Sequence, residues 1–379
     1  MKILIIGWYG TETIGDRAIL AGLFYLFSKS WGKLEIKLGC LETLLTERTM
    51  DEDRDFFKKC SNDQIMNISL FDSRKKKDLD HAIEWADIIV VGGGPLMEIN
   101  PMYMLLYAFK KAKKLHKKSI VAGCGMGPFL TERFKKCAID IIDASDLAIF
   151  RDGKSREIYH SCSQCNSNIY DSIDPAVFAT TCFKKQNVTD DEVGSYVAIN
   201  FREPPAFEYN GLGCVDDEFF SNILFKIAGM TNMPIRLVPM HTYWIGGDDR
   251  YILNRICRKV ELQEISVYNR PLSLEETMRV YANSTYCVGM RFHAVLLQTF
   301  LNGNNIILDY TDPQKGKIIN LLNQLCIKDA YKGRYISLVN NPSVEIEDVR
   351  SFKEVVIPDD VIGKFEETYI NNLCNLINY

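Results

Sequence analysis

Residues 1–29 read MKILIIGWYGTETIGDRAILAGLFYLFSK, and this stretch predicts the fold. Lys2 to Gly7 is a short apolar run of the kind that forms a buried strand. From Ile14 to Lys29, apolar residues recur at the three- and four-residue spacing of a helix. The chain therefore begins with a strand, a glycine-bearing loop and a helix.

The same order of segments returns several times along the chain. Buried apolar strands that alternate with helices predict a parallel sheet covered on both faces, so the expected fold class is α/β. In such sheets ligands bind beyond the carboxyl ends of the strands, and we expect the loops there to form the site. Further predicted strands are Ala86 to Val91, Ser119 to Ala122, Leu147 to Phe150, Tyr196 to Phe201, Ile235 to Pro239, Tyr286 to Val288 and Asn305 to Tyr310.

The length of the chain predicts two domains. Its 379 residues exceed the roughly 250–300 residues at which a single core stops growing. A polar stretch at 183–192 predicts a linker, which gives Rossmann-like domains at 1–182 and 193–379 with a cleft between them as the expected site. The last helix, predicted at 360–378, packs either within the second domain or back on the first, and the sequence leaves this open.

Composition limits the classes of function. Hydrophobic residues make up 47% of the chain and charged residues 25%, which is typical of a globular protein. A net charge of -4 provides no whole-molecule field that attracts nucleic acid, so no nucleic-acid partner is expected. The sequence contains neither a signal-peptide pattern nor the ~18 consecutive apolar residues of a membrane span. We therefore expect a cytoplasmic protein with reduced cysteines.

Two glycine-rich loops are candidate ligand sites. The loop from Gly7 to Asp16 leads into a helix, where free backbone N–H groups favour anions, and Gly15 and Asp16 are its candidate substrate-binding residues. Its spacing fits neither the dinucleotide nor the P-loop pattern. Gly93 and Gly94 permit close approach of a ligand to the backbone. The alternative is that these glycines only close tight turns and Asp16 caps the helix.

Two arginines follow predicted strands. Arg151 begins a helix directly after a strand, which predicts an anion-binding residue, and a surface salt bridge to Asp152 or Glu157 is the alternative. Arg291 and His293 lie two residues apart in a strand-to-helix turn, so both can face one pocket. A guanidinium that binds an anion beside an imidazole that transfers a proton is suited to acid–base chemistry on an anionic substrate.

Other polar residues lie after predicted strands or on a helix. Lys315 and Lys317 end a loop after a strand and are candidates to neutralise a phosphate, while His241 is a candidate for binding sugar hydroxyls or a nucleotide. A solvated turn is the alternative for His241. A basic helix face is compatible with peripheral contact to an anionic membrane, with an ordinary solvated face as the alternative. That face comprises Lys110, Lys111, Lys113, Lys114, Lys117 and Lys118.

The order of these loops resembles the polysaccharide pyruvyl transferase family over most of the chain, from Met1 to about Leu322. One departure is Thr13, where the family usually has asparagine before its Gly-Asp pair. The motifs that carry the resemblance are Ile14-Gly15-Asp16, Gly92-Gly93-Gly94, Gly125-Met126-Gly127-Pro128, Arg151-Asp152-Gly153-Lys154-Ser155, Asp174-Pro175-Ala176, Met290-Arg291-Phe292-His293 and Tyr310 to Lys317.

The resemblance implies a GT-B-like fold and transfer of a pyruvyl group from phosphoenolpyruvate to a sugar diol as a cyclic ketal. The acceptor would be a surface or cell-wall glycan or a lipid-linked precursor. We expect Arg291, Arg151 and either Lys315 or Lys317 to bind the donor's phosphate and carboxylate, with His293 as general acid or base. Phosphoenolpyruvate is then the donor substrate, and neither a cofactor nor a metal ion is expected.

Two alternatives remain from the residues alone. The first is a nucleotide-sugar glycosyltransferase of the same fold, in which His241, Asp248 and the second domain bind a nucleotide diphosphate. The second is a scaffold protein that keeps the fold without catalysis. Arg151, Arg291 and His293 argue against the scaffold, because a protein without catalysis needs no such combination of charges at strand ends.

Overall fold

The computed structural model describes residues 1–186, 194–204, 215–339 and 345–378. The chain forms two compact units. The N-terminal unit comprises Met1–Glu12, Asp16–Cys182 and the chain from Asp359 onward, and the C-terminal unit comprises Thr13–Gly15 and Phe183–Pro358. The predicted linker at 183–192 lies partly outside the described residues.

The N-terminal unit contains a parallel sheet in the order β3-β2-β1-β4-β6-β7-β8, in which a short strand, β5, also pairs with β6. The central strands are apolar and buried on both faces, which is the pattern of a parallel sheet covered by helices. The strands are β1 (Lys2–Ile6), β2 (Leu34–Cys40), β3 (Ile65–Asp72), β4 (Ile88–Gly92), β5 (Pro95–Leu96), β6 (Lys118–Met126), β7 (Leu147–Phe150) and β8 (Ile169–Asp171).

Helices of this unit connect successive strands and bury one face on the sheet. In Glu132–Ala144, for example, the buried residues recur at helical spacing and include Ala138, Ile141 and Ile142, as an amphipathic helix requires. The helices are α1 (Ile14–Trp31), α2 (Thr43–Glu52), α3 (Arg54–Cys60), α4 (Lys76–Trp85), α5 (Met102–Lys114), α6 (Glu132–Ala144), α7 (Gly153–His160) and α8 (Ala176–Gln186).

The C-terminal unit contains a second parallel sheet, in the order β11-β10-β9-β12-β13-β14. Its strands are β9 (Gly194–Ile199), β10 (Ile235–Leu237), β11 (Ile265–Val267), β12 (Ser284–Gly289), β13 (Asn305–Asp309) and β14 (Tyr335–Ser337). Its helices are α9 (Asp217–Thr231), α10 (Asp249–Lys259), α11 (Leu274–Asn283), α12 (Phe292–Leu301) and α13 (Lys317–Gln324), with short 3-10 helices at Lys328–Tyr331 and Val349–Ser351. The prediction of two parallel-sheet α/β units is confirmed.

Helix starts in this unit follow local sequence chemistry. Ser273 and Glu276 form a capping box at α11, in which each side chain accepts a hydrogen bond from the other's backbone N–H. Asp248 caps α10 by accepting from the backbone N–H of Arg250 at 3.0 Å. These caps fix where each helix begins, and the residues just before them form the ends of the loops.

The final helix, α14 (Asp359–Asn378), belongs to the N-terminal unit, so the C-terminal unit ends at Pro358 and not with the last helix. The buried Tyr369 hydroxyl donates to the backbone oxygen of Ile173 at 2.8 Å, and its ring meets that of Phe178 edge-on at 5.7 Å. Trp31 donates from its indole nitrogen to Leu373 O at 3.0 Å. The helix therefore completes the core of the unit in which the chain begins.

We expect Tyr369→Ala to destabilise the protein by about 3–5 kcal/mol, because it removes a fully buried aromatic ring. Tyr369→Phe should cost about 1–3 kcal/mol, since the Ile173 carbonyl loses its donor. Urea denaturation measures both. Glu367→Ala, at an exposed position of the same helix, should change the free energy of unfolding by less than about 0.5 kcal/mol. Equal stabilities for Tyr369→Ala and the wild type would contradict the packing of α14 described here.

Candidate active site

Each sheet has a point at which the strand order reverses direction. In the N-terminal unit this point lies between β1 and β4, and in the C-terminal unit it lies between β9 and β12. Loops that leave two such neighbouring strands diverge to opposite faces of the sheet, and the crevice between them is the usual ligand site of open α/β sheets. The candidate residues are therefore those that follow β1, β4, β9 and β12.

In the N-terminal unit, Tyr9 lies against the glycine loop after β4. A Cβ atom on Gly93 would lie 3.2 Å from the Tyr9 hydroxyl oxygen, so glycine allows this close approach. Gly93 and Gly94 also have φ angles of 99° and 67°, a conformation that favours glycine. Burial, followed by the charge of Asp16, raises the pKa of the Tyr9 phenol well above its usual value. The phenol is thus a neutral group beneath the loop.

Asp16 lies in the first turn of α1 and is only half-buried. Its Oδ2 atom lies 3.0 Å from the hydroxyl oxygen of Thr11, which itself lies 2.9 Å from the Trp8 carbonyl oxygen. A carboxylate at this helix start disfavours a second anion and accepts hydrogen bonds from hydroxyl groups. Anion binding by this loop stays a prediction, and its carboxylate can also accept hydrogen bonds from the hydroxyls of a ligand.

Arg151 is buried in the N-terminal unit and forms an ion pair with Asp174. Its Nη1 atom lies 3.1 Å from Asp174 Oδ2, while its Nε atom is 3.8 Å from Asp152 Oδ2. A Cβ atom on Gly125 would lie 2.8 Å from Nε, so the guanidinium packs directly against the β6 backbone. The sequence predicted either an anion clamp or a surface salt bridge, and the ion pair that forms is an internal one with a residue 23 positions away.

In the C-terminal unit, Asn200 joins the strands at the point of reversal. Its side-chain amide donates to the Val238 carbonyl at 3.0 Å, its backbone N–H donates to Val288 O at 2.8 Å, and its Oδ1 atom accepts from the backbone N–H of Arg291 at 3.1 Å. Asn200 is fully buried. The loops after β9, β10 and β12 are therefore held together by one side chain and its backbone.

Arg291 and Asp249 form a buried bidentate ion pair. Arg291 Nε donates to Asp249 Oδ2 at 2.8 Å and Nη2 donates to Oδ1 at 2.5 Å. Asp249 Oδ2 also accepts from the backbone N–H groups of Met240 and His241, each at 3.1 Å. Burial acts to lower the pKa of Arg291, but the charge and hydrogen bonds of Asp249 raise it overall. Arg291 is therefore oriented by the protein before any substrate binds.

Arg202 is a second guanidinium beside Arg291, and sequence reasoning missed it. Its Nη1 atom donates to the Tyr310 hydroxyl at 3.0 Å, and its Cζ atom lies 5.3 Å from the centre of the Tyr310 ring. Burial, followed by the positive charge of Arg291, lowers the pKa of Arg202. Among the described residues, the charge of Asp249 acts on both Arg202 and Arg291, and two guanidiniums beside one such carboxylate suit a further anion.

His293 lies in the first turn of α12, next to Gly15 in the same unit. A Cβ atom on Gly15 would lie only 2.0 Å from His293 Nδ1, so no other amino acid fits at that position without moving the imidazole. The edge of the Phe292 ring meets the imidazole at 5.0 Å. The prediction that Arg291 and His293 share a strand-to-helix turn agrees with the structure, in which β12 leads into α12 through Arg291.

The remaining predicted residues occupy the same end of the C-terminal sheet. His241 is buried, and a Cβ atom on Gly246 would lie 2.7 Å from its Cε1 atom. Lys315 is exposed, whereas Lys317 is half-buried and begins α13. Burial raises the pKa of Asp309 overall, although the charge of Lys317 acts to lower it. Which of the two lysines contacts a ligand stays a prediction.

One protein-family profile matches most of the chain. The sequence profile described as Polysaccharide pyruvyl transferase matches residues 14–312, well over half of the chain. The chain belongs to the polysaccharide pyruvyl transferase family. The matched range includes Gly15, Arg151, Arg202 and the whole turn from Arg291 to His293, and it ends before Lys315. No curated protein sequence matches the chain.

Solved structures with the same arrangement include UDP-N-acetylglucosamine 2-epimerases. The enzyme from Rickettsia bellii has a TM-score of 0.60 and 11% sequence identity, with 100% of this chain and 97% of that chain covered. The enzyme from Methanocaldococcus jannaschii, in complex with UDP-GlcNAc and UDP, has a TM-score of 0.54 and 12% identity over 100% and 99% of the two chains. MnaA of S. aureus has a TM-score of 0.57 and 13% identity over 98% and 97%. At these identities the likeness shows only the fold. This pyruvyl transferase family member has two parallel-sheet α/β units, and its structural neighbours are GT-B-like proteins.

Within the described ranges, no group of three or more His, Cys, Asp or Glu side chains has a metal-binding arrangement. None of the helices in these ranges combines the length and the apolar character needed to cross a membrane.

We expect Asp249→Asn to destabilise the C-terminal unit by about 3–5 kcal/mol, because Arg291 then stays buried without a charged partner. Denaturant titration measures the loss. In the same unit, Glu275→Gln removes a more exposed partner, that of Arg279, and should cost less than about 1 kcal/mol. A loss of similar size in the two variants would show that the Asp249 pair is not the anchor described here.

Gly15→Ala should destabilise the protein by about 1–3 kcal/mol, since the new methyl group displaces the His293 ring. Gly229→Ala is the matched control, because a Cβ atom there meets nothing within 4 Å and the residue lies in the last turn of α9. That change should stabilise the protein by roughly 0.5–1 kcal/mol through helix propensity. If both substitutions stabilised the protein equally in urea titrations, the contact between Gly15 and His293 would be refuted.

Proposed function

We propose that this family member transfers the pyruvyl group of phosphoenolpyruvate to two hydroxyls of a sugar, forming a cyclic ketal and releasing phosphate. The acceptor in this proposal is a surface or cell-wall glycan or a lipid-linked precursor. The observation that carries it is the pair Arg202 and Arg291 beside Asp249 at the strand reversal of the C-terminal unit.

The charges of this cluster suit the donor. Phosphoenolpyruvate carries a phosphate and a carboxylate, and guanidinium groups bind both kinds of oxyanion through paired N–H groups. Asp249 offsets only one of the two positive charges. Burial, followed by the positive charge of Arg291, lowers the pKa of Arg202, and an incoming anion would offset the repulsion between the two guanidiniums. We assign the two arginines to the anionic groups of the donor.

His293 is the proposed general acid and base. The reaction begins when a proton is added to the terminal carbon of the enol double bond, and the resulting oxocarbenium ion at the central carbon is attacked by one sugar hydroxyl, which loses its proton. The C–O bond to phosphate then breaks, and the second hydroxyl adds to close the ketal and loses its own proton. An imidazole is suited to deliver and accept protons near neutral pH. Gly15 and Asn200 hold the turn that carries it.

The other predicted residues keep supporting roles in the proposal. Asp16, which is half-buried and accepts hydrogen bonds, suits a sugar hydroxyl better than a phosphate. Arg151 and either Lys315 or Lys317 remain candidates for donor binding, although Arg151 already neutralises Asp174. No cofactor is part of the proposal.

A nucleotide-sugar donor is the competing possibility, since the M. jannaschii structure contains UDP-GlcNAc and UDP and has the same fold. A diphosphate would also satisfy two guanidiniums. The two donors differ in size and in the nucleoside, so direct binding distinguishes them.

The test is a thermal-shift titration of the purified protein with phosphoenolpyruvate and, separately, with UDP-GlcNAc. A ligand at about 100 times its Kd stabilises the native state by about 2.7 kcal/mol. We expect phosphoenolpyruvate to raise the melting temperature and Arg202→Met to weaken its binding by about 1.5–3 kcal/mol, the usual worth of a hydrogen bond to a charged group. Phosphate release in the presence of glycans should cease in His293→Ala.

Arg236→Met provides a matched control in the same unit. Arg236 lies 4.9 Å over the ring of Tyr196, much as Arg202 lies over Tyr310, but it belongs to strand β10 and not to the cluster. This variant should retain the full shift with phosphoenolpyruvate. A shift with UDP-GlcNAc alone would replace the proposal with the glycosyltransferase alternative, and the absence of both shifts would support a scaffold.

A further inference from the structure

The loop at residues 241–248, between β10 and α10, carries an exposed tryptophan. Trp244 is 64% exposed, whereas Trp8 is buried and the other two tryptophans are half-buried. Its ring meets that of Tyr243 at 5.8 Å with an interplanar angle of 78°. We call this pair the aromatic platform. A single exposed aromatic residue is common on a protein surface, so the exposure of Trp244 has meaning only together with the structure of its loop.

The platform is held in place by Asp248. One oxygen of this carboxylate accepts from the Tyr243 backbone N–H at 3.0 Å, and the side chain of Arg250 binds the carboxylate through Nε at 2.9 Å and Nη2 at 2.6 Å. The Arg250 Cζ atom lies 5.2 Å from the centre of the Tyr243 ring. The exposed Trp244 and the half-buried Tyr243 thus belong to a loop that is fixed by charged hydrogen bonds.

The backbone of the loop adds a second observation. Tyr243 has a φ angle of 69°, in a region that side chains other than glycine rarely adopt, and Gly246 and Gly247 have φ angles of 82° and 97°. Such a conformation at a tyrosine persists only where the surrounding structure enforces it, and these conformations cluster at ligand-binding sites. Here it occurs at Tyr243, next to the exposed Trp244.

The platform is connected directly to the arginine cluster. Asp248 holds the platform, and the next residue, Asp249, binds Arg291 and the backbone N–H of His241 at the start of the same loop. Two consecutive carboxylates at the start of α10 therefore fix the position of the platform relative to the proposed donor-binding arginines. The fold of the C-terminal unit therefore sets the distance between the platform and these arginines.

We propose that Trp244 and Tyr243 form a sugar-binding platform that stacks against one pyranose ring of the acceptor glycan. This inference rests on the proposed function for the identity of the acceptor, but the platform itself is defined by its own geometry. A pyranose ring presents a face of C–H groups surrounded by hydroxyls. The indole suits that face, and the charged groups of Asp248 and Arg250 at the rim suit the hydroxyls.

The size of the surface favours a sugar over a protein partner. One aromatic side chain buries about 150–250 Å². A stable protein interface needs about 800 Å² from each partner, which is more than the two aromatic side chains of this platform offer. A nucleobase would also stack on an indole, and the test below separates the two ligands.

The test measures glycoside binding without any donor, so that it does not depend on phosphoenolpyruvate. The probes are the methyl pyranosides of glucose, galactose and mannose at up to about 50 mM, because a single sugar ring binds with millimolar affinity. Saturation-transfer NMR gives the Kd for each variant. We expect at least one glycoside to bind the wild type, Trp244→Ala to weaken it tenfold or more, and Trp244→Tyr to restore part of the affinity.

Phe225→Ala is the control, since it removes another exposed aromatic ring from helix α9 of the same unit and should leave the Kd unchanged. Trp244→Ala should also keep the wild-type melting shift with phosphoenolpyruvate, which separates loss of the platform from loss of the donor site. The proposal is overturned if no glycoside binds the wild type, if Trp244→Ala binds as tightly, or if Trp244 is needed for uridine and not for glycosides. Glycoside binding that needs Trp244 supports the platform even if phosphoenolpyruvate fails to bind.

Discussion

The carboxylate of Asp249 is the constraint on which the arrangement of the C-terminal unit depends. It accepts hydrogen bonds from two consecutive backbone N–H groups after β10 and from two nitrogens of the Arg291 side chain after β12. A buried carboxylate is costly unless its oxygens are satisfied in this way, and a buried guanidinium is costly without such a partner. Each group therefore offsets the cost of burying the other. Together they join two loops that leave strands on either side of β9. Asn200 completes the junction by bonding to the backbone beside both loops.

This junction explains why the arginines are available for an anion. Arg291 uses two of its nitrogens on Asp249, so its orientation is settled before a ligand arrives, and the ordering of a long side chain is not a cost of binding. Arg202 is held by the hydroxyl and ring of Tyr310, and among the described residues the charge of Asp249 acts on it as well. Two guanidiniums at a strand reversal, one of them preorganised, are suited to a substrate with two anionic groups. In the N-terminal unit the comparable loop carries Asp16 and a neutral phenol, which suits hydroxyl groups instead.

The sequence predicted those parts of this arrangement that depend on the local pattern of apolar and polar residues. The apolar runs that form β1, β4, β9, β12 and β13 are short and bounded by glycine or polar residues, and the turn with Arg291 and His293 follows one of them. Contacts between distant residues gave no such signal. Asp174 lies 23 positions from Arg151 and Asp249 lies 42 positions from Arg291, so neither partner is visible in a local motif. Arg202 carried one usable signal, its position just after a predicted strand.

The positive charge of the cluster also has a cost in the unliganded protein. Burial and the neighbouring Arg291 both disfavour the charged form of Arg202, as the lowered pKa shows, and that free energy reduces the stability of the folded state. An anionic ligand would offset the repulsion between the two guanidiniums. The residue that sequence reasoning overlooked is therefore the one whose electrostatic environment argues most directly for a binding site rather than a structural ion pair.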